Sequence, residues 1–236
     1  MAVVWGFGVT LAIYATASVS GAHLNPAVSL AFVLFRRSQF PLRRMPWYWA
    51  GQLAGAVIAG AVVLAIFSPF IASFESAHGI VRGAAGSEHS AMGFGEYFPN
   101  PAMFGTGETA ERLVSPLRAM LTEAFGTGVL AFVIFALTDR RNTAGPVKGM
   151  APFFIGFTVA ALISLFAPVT QAGWNPARDF GPRLVAFLAG WQDVAIPGPR
   201  AGFWVYIIGP LIGAPIGAFM HDYLLKSRDK GGEADG

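Results

Sequence analysis

Two tripeptides in this chain could act together: Asn25-Pro26-Ala27 and Asn175-Pro176-Ala177. Each opens an apolar run, Pro26–Phe35 and 176–188, too short for the roughly 20 residues that cross a bilayer. Asn caps helices well and Pro suits the first helical position, so one copy alone reads as an ordinary helix start. Two copies at matching places in a repeat read as two half-helices that enter a membrane and stop midway. A helix end at that depth must satisfy its first N–H groups. It also presents about half a positive charge. Two such ends meeting at the midplane make a positive focus. The side-chain oxygens of Asn25 and Asn175 can cap their own helices, which leaves both NH2 groups free to donate to a passing oxygen. Water or a neutral hydroxyl solute accepts those bonds, whereas a cation, hydronium included, is repelled.

The backbone just before each Asn is non-helical, and such backbone is tolerated at membrane depth only where it is buried or lines a water-filled cavity. Gly21, Ala22 and His23, with Ala172, Gly173 and Trp174, are therefore candidates to offer carbonyl acceptors along one wall. His23 reads equally well as a structural hydrogen-bonding residue.

The elements that must hold these motifs are apolar spans. Five approach crossing length: Ala2–Ser20, 47–71, 119–137, 149–166 and 203–225. The chain is 54% hydrophobic and 12% charged, about half the charge of a soluble domain. Hydrocarbon, which tolerates few ionised groups, accounts for the deficit. There is no Cys, which excludes thiol catalysis and thiolate metal sites. The net charge is +3 with no basic run, so nothing points to nucleic acid. The expected fold is an all-α membrane bundle of five transmembrane helices and two re-entrant half-helices in one domain. Residues 1–71 form an incomplete first repeat, 72–118 an external loop, 119–225 a second repeat and 226–236 a cytoplasmic tail. The external loop reads as an ordered cap with too few apolar residues for its own core.

Basic residues support one orientation. Arg36, Arg37, Arg43, Arg44, Arg140, Arg141, Lys148, Lys226, Arg228 and Lys230 share one side if the spans alternate, and the positive-inside rule makes that side cytoplasmic. The repeat predicts something more. The second half carries an additional span, introduced by Glu123-Ala124-Phe125-Gly126-Thr127-Gly128, and the first half shows no counterpart. Inverted repeats come as matched units. Symmetry thus leads us to expect a further N-terminal helix, of about 20 residues, that this chain lacks.

Beyond the paired motifs, four stretches carry a family likeness: Trp5-Gly6-Phe7-Gly8-Val9, Ser20-Gly21-Ala22-His23-Leu24, Ile80-Val81-Arg82-Gly83 and Ala177-Arg178-Asp179-Phe180-Gly181-Pro182. On these the chain resembles the aquaporin, or major intrinsic protein, family over nearly its whole length, and most of all its bacterial glycerol facilitators. Asp179, directly after Arg178, resembles the mark of the glycerol-conducting branch. The resemblance implies a homotetramer in a cell membrane, the bacterial inner membrane, with one pore per subunit. It implies passive conduction of glycerol and water, with urea or metalloid hydroxides as further solutes, and no cofactor or metal. It also implies a filter near the external mouth made by Trp5, Ile163, Ala172 and Arg178. In pores of this kind an Arg and the half-helix ends set the barrier to cations and protons. Trp5 would give an apolar face for a carbon backbone, and Ile163 stands where strict water pores have His. Ala172 departs from the aromatic of glycerol facilitators, and the set Trp, Ile, Ala and Arg looks more like the plant nodulin-26 type. Trp174 is bulky for its position.

Three other readings compete. A secondary active transporter would need carboxylates inside the membrane; only Glu123 lies near that depth, and it reads better as a structural acceptor for re-entrant backbone. A membrane enzyme finds no support, because His23, His78, His89 and His221 show no metal-ligand spacing. A nonfunctional truncated channel is the third.

Overall fold

A computed structural model describes residues 1–142, 145–147 and 149–225. Lys148, Lys226, Arg228, Lys230 and the expected tail 226–236 lie outside the described residues. The described residues form ten α-helices joined by loops and short 3₁₀ or π turns, with no strand among them. Five are long and apolar enough to cross a membrane: α1 (Ala2–Ser20), α3 (Met45–His78), α7 (Pro116–Thr138), α8 (Ala151–Thr170) and α10 (Val205–Leu225). The half-helices are α2 (Pro26–Phe35) and α9 (Pro176–Ala186), and three one-turn helices sit in the loop between α3 and α7: α4 (Glu88–Ala91), α5 (Pro101–Phe104) and α6 (Glu108–Glu111).

The spans fall where the apolar runs predict, with one marked difference. The second span, expected to end at residue 71, continues to His78 and stops at Gly79, whose φ is 62°. The polar residues after Ile71 do not end it, because Glu75 is buried there and pairs with Arg82 at 2.7 Å. The second half-helix is α-helical to Ala186, and a π turn carries it on through Phe187–Trp191.

Membrane helices gain no hydrophobic energy from leaving lipid for one another, so close backbone approach must hold them together. Three interfaces use small residues for this. Along α7 and α10, a Cβ added at Gly213 would lie 1.9 Å from the Ala124 carbonyl oxygen, and one at Gly217 would lie 1.9 Å from that of Gly128. Between α1 and α8, a Cβ on Gly156 would lie 2.0 Å from the Thr10 hydroxyl. Between α3 and α9, one on Gly181 would meet Ala56 at 2.6 Å. The outward faces keep large apolar side chains exposed, such as Phe7, Leu11, Phe67 and Phe70.

The two halves are related. The α1 and α8 helices end alike, with Gly21 and Gln171 in left-handed caps at φ 73° and 59°, and each then leads into an Asn-capped half-helix. Among the described residues α7 has no counterpart in the first half. The loop between α3 and α7 packs onto the bundle: Ala91, Phe94 and Tyr97 pack with Ala186, Trp191, Val194 and Ala195 at the end of the second half-helix. At the opposite end Arg36 makes two hydrogen bonds to Asp222, of 2.8 and 2.7 Å. His221 lies 3.8 Å from Asp139. The C-terminal ends of α2, α7 and α10 therefore meet on one side.

Candidate functional site

The two half-helices meet by their N-termini, and the two asparagines brace the junction. Asn25 accepts from the Ala27 amide at 2.9 Å, and its NH2 donates to the Trp174 carbonyl at 2.8 Å. Asn175 accepts from the amides of Ala177 and Arg178 at 3.1 and 3.2 Å, and its NH2 donates to the Leu24 carbonyl at 2.8 Å. Each motif thus caps its own helix and grips the loop of the other. Pro26 and Pro176 open the two helices, and Ala27 and Ala177 are buried against them. The expectation that both NH2 groups stand free needs correction. One hydrogen of each is committed across the junction, and one of each remains, because an amide NH2 carries two donors.

A cavity runs past this junction, with about 110 Å³ of room for the centres of water molecules. Asn25, Asn175, Trp5, Ile163, Ala172 and Arg178 all line it, as do Ala22, Leu24, Gly173 and Trp174. The rest of the wall is mostly aliphatic, from Val9, Ile13, Val28, Leu130, Ile134, Ile155 and Val159. The structure therefore brings together four residues that lie up to 173 positions apart, taking Trp5 and Arg178 as the extremes (178 − 5). The Arg178 guanidinium carbon stands 4.5 Å from the centre of the Trp5 ring. A wider cleft between α1 and α3 opens beside the conduit and also reaches Asn175 and Arg178.

The loop residues do not all face the conduit. Gly21 and His23 are absent from its lining. The His23 ring packs 4.3 Å from Phe32 and 4.5 Å from Phe40, between ring centroids. Its carbonyl accepts from the Gln52 side chain, which also reaches the Ser29 hydroxyl at 3.0 Å. The His23 ring is thus packed among aromatic side chains, and its carbonyl is engaged by Gln52. The carbonyl of Trp174 is shared with Asn25. Ala22, Gln171, Ala172 and Trp174 hold φ of 53°, 59°, 67° and 53°. Non-Gly residues rarely adopt such angles unless their surroundings impose them, and here the cross-braces and Glu123 do so.

Glu123 is fully buried and accepts from the amides of Gly173 and Trp174 at 3.0 and 2.7 Å. Its carboxylate is spent on re-entrant backbone. Asp179 is also fully buried; it accepts from the Glu96 amide at 2.7 Å and from Arg183 Nε at 2.7 Å. Sequence reasoning missed Glu96, Gln171, Gln52 and Arg183. Gln171 receives the Tyr97 amide at 2.7 Å, and Arg183 donates to the carbonyls of Ala195, at 2.8 Å, and Glu96. Only Arg183 left a signal, as a second basic residue inside a half-helix. The others depend on where the loop between α3 and α7 folds back.

The family model described as "Major intrinsic protein" matches residues 1–221. The chain belongs to the major intrinsic protein family. It is 43% identical over 220 residues to the glycerol uptake facilitator protein of Pseudomonas aeruginosa, covering 92% of this chain and 74% of that one. It is 40% identical over 227 residues to the glycerol uptake facilitator protein of Escherichia coli, covering 95% and 75%. The propanediol uptake facilitator of Citrobacter freundii is 41% identical over 226 residues, covering 94% and 78%. In fold, the chain is similar to the X-ray structure of the aquaglyceroporin from Plasmodium falciparum, with a TM-score of 0.77 and 24% identity over 94% of this chain and 81% of that one.

Proposed function

We infer that the chain is a passive membrane channel of this family for small uncharged solutes, glycerol first and water with it. One observation carries the reading: two Asn-capped half-helices abut in an apolar bundle, and both asparagines line one cavity with Trp5 and Arg178. Such a wall offers few donors along an aliphatic surface. A glycerol molecule suits it, with its carbon backbone against Trp5, Val9 and Ile163 and its hydroxyls on Arg178 and the spare amide hydrogens. Cations find neutral amides, the positive helix ends and the Arg178 guanidinium, so no ligand replaces their hydration shell. Glu123 gives no support to a coupled transporter, since both its oxygens hold backbone N–H groups. The names of the relatives, uptake facilitators for glycerol and propanediol, favour solutes of the polyol class.

We also propose a homotetramer, on the family resemblance, and a cytoplasmic C-terminus in a bacterial inner membrane. The orientation rests on Arg36, Arg37, Arg43, Arg44, Arg140 and Arg141, which lie at the end where α2, α7 and α10 finish.

Stopped-flow swelling of proteoliposomes tests the reading. Glycerol should enter faster than into protein-free vesicles and sucrose should not. Arg178→Ala and Trp5→Ala should each change the glycerol rate. Glycerol flux no greater than in empty vesicles rejects the proposal.

A further inference from the structure

The filter arginine has a partner that no sequence motif announced. The Glu96 carboxylate contacts Nη1 of Arg178. Glu96 is 1% exposed, and its main chain is locked in place: its amide donates to Asp179, and its carbonyl accepts from Arg183. Asp179 and Arg183 are themselves paired at 2.7 Å and fully buried. Arg178 is thus clamped between a carboxylate on one side and the Trp5 ring on the other.

We propose that Glu96 is a specificity-determining residue of the filter, which acts by fixing and neutralising Arg178. The proposal rests on the channel reading above. A guanidinium has five N–H donors and is charged at any working pH. Left free, it would reach across the conduit and hold a hydroxyl solute tightly. Tied to a buried carboxylate, it presents only its remaining donors in one orientation, and the charge at the external mouth cancels. Two consequences follow. A polyol meets a fixed donor that releases it readily. The barrier to cations moves away from the mouth and onto the half-helix ends at Asn25 and Asn175. Asp179 and Arg183 are positioning residues in this scheme, because they act through Glu96.

The test compares water and glycerol permeability of the full chain in proteoliposomes. Glu96→Gln keeps the shape and removes the charge. Its glycerol-to-water permeability ratio should fall about tenfold, on the order of one lost close charge pair. With Arg178→Gln already in place, Glu96→Gln should have no further effect on the ratio. An unchanged ratio in the single variant overturns the proposal, as does an equal fall in both permeabilities, which signals a merely structural role. So does a further effect in the Arg178→Gln background. If the Gln variant does not reconstitute, Glu96→Asp, with its shorter reach, replaces it; a wild-type ratio there overturns the proposal. Absence of wild-type glycerol flux would instead reject the channel reading itself.

Discussion

Glu123 and the two asparagines do most of the local work, each by satisfying backbone that could not otherwise survive at membrane depth. Glu123 shows the cost of failure. Replacing it with Leu leaves the amides of Gly173 and Trp174 buried without an acceptor. At about 1–3 kcal/mol for each orphaned group, Glu123→Leu should destabilise the protein by about 2–6 kcal/mol. Thermal unfolding of detergent-solubilised protein reads this, and a melting temperature equal to wild type would show the carboxylate to be dispensable. The same reasoning applies to Asn175, whose one side chain accepts two amides and donates across the junction. No other neutral residue of similar size supplies both roles.

Between elements, fit is set by missing side chains. The α7–α10 interface leaves no room for a Cβ at Gly213, where the nearest carbonyl oxygen would be 1.9 Å away. Gly213→Val should therefore separate the two helices and abolish recovery of folded protein. Gly51, on α3, makes the contrast: a Cβ there meets nothing within 4 Å. Gly51→Ala should be tolerated and should raise stability by up to about 1 kcal/mol, since Ala is the better helix former. Comparing the yields of monodisperse protein for the two variants checks the pair of expectations. Equal behaviour would mean that backbone approach is not what holds these helices.

For the molecule as a whole, the two repeats are tied at both ends. The Arg36–Asp222 pair joins the first half-helix to the last span, and the loop between α3 and α7 packs over the second half-helix. Close by, the Arg141 guanidinium, by its hydrogen bonds to the Asp139 carboxylate, holds that carboxyl well below the usual range. A depressed native value means stability that is present above the unfolded carboxyl's pKa of about 3.9 and lost as pH falls through the native value. Asp139→Asn should therefore lower the melting temperature at neutral pH, with the gap to wild type closing only in strong acid. A gap that closed between pH 7 and about pH 5, above the unfolded value, would contradict this.

The amino-acid sequence by itself determined the membrane class, the family likeness, the approximate place of the five spans, though not the end of the second, and the start of both half-helices. Those features are written locally, in apolar runs and in Asn-Pro-Ala caps, and local signals do not depend on what the chain later meets. It also placed Trp5, Ile163, Ala172 and Arg178 in one set, by resemblance, and in the structure all four line one cavity. Tertiary structure alone decided the rest. That each asparagine grips the opposite loop depends on two N-termini 150 residues apart meeting head to head (175 − 25). That His23 turns into an aromatic cage depends on Phe40 and Tyr48 folding back over it. That Glu96 reaches Arg178 depends on a long loop with no regular repeat, held by a buried Asp–Arg pair. Charges on a loop look solvated in a sequence. Only the fold shows which of them it has taken out of water.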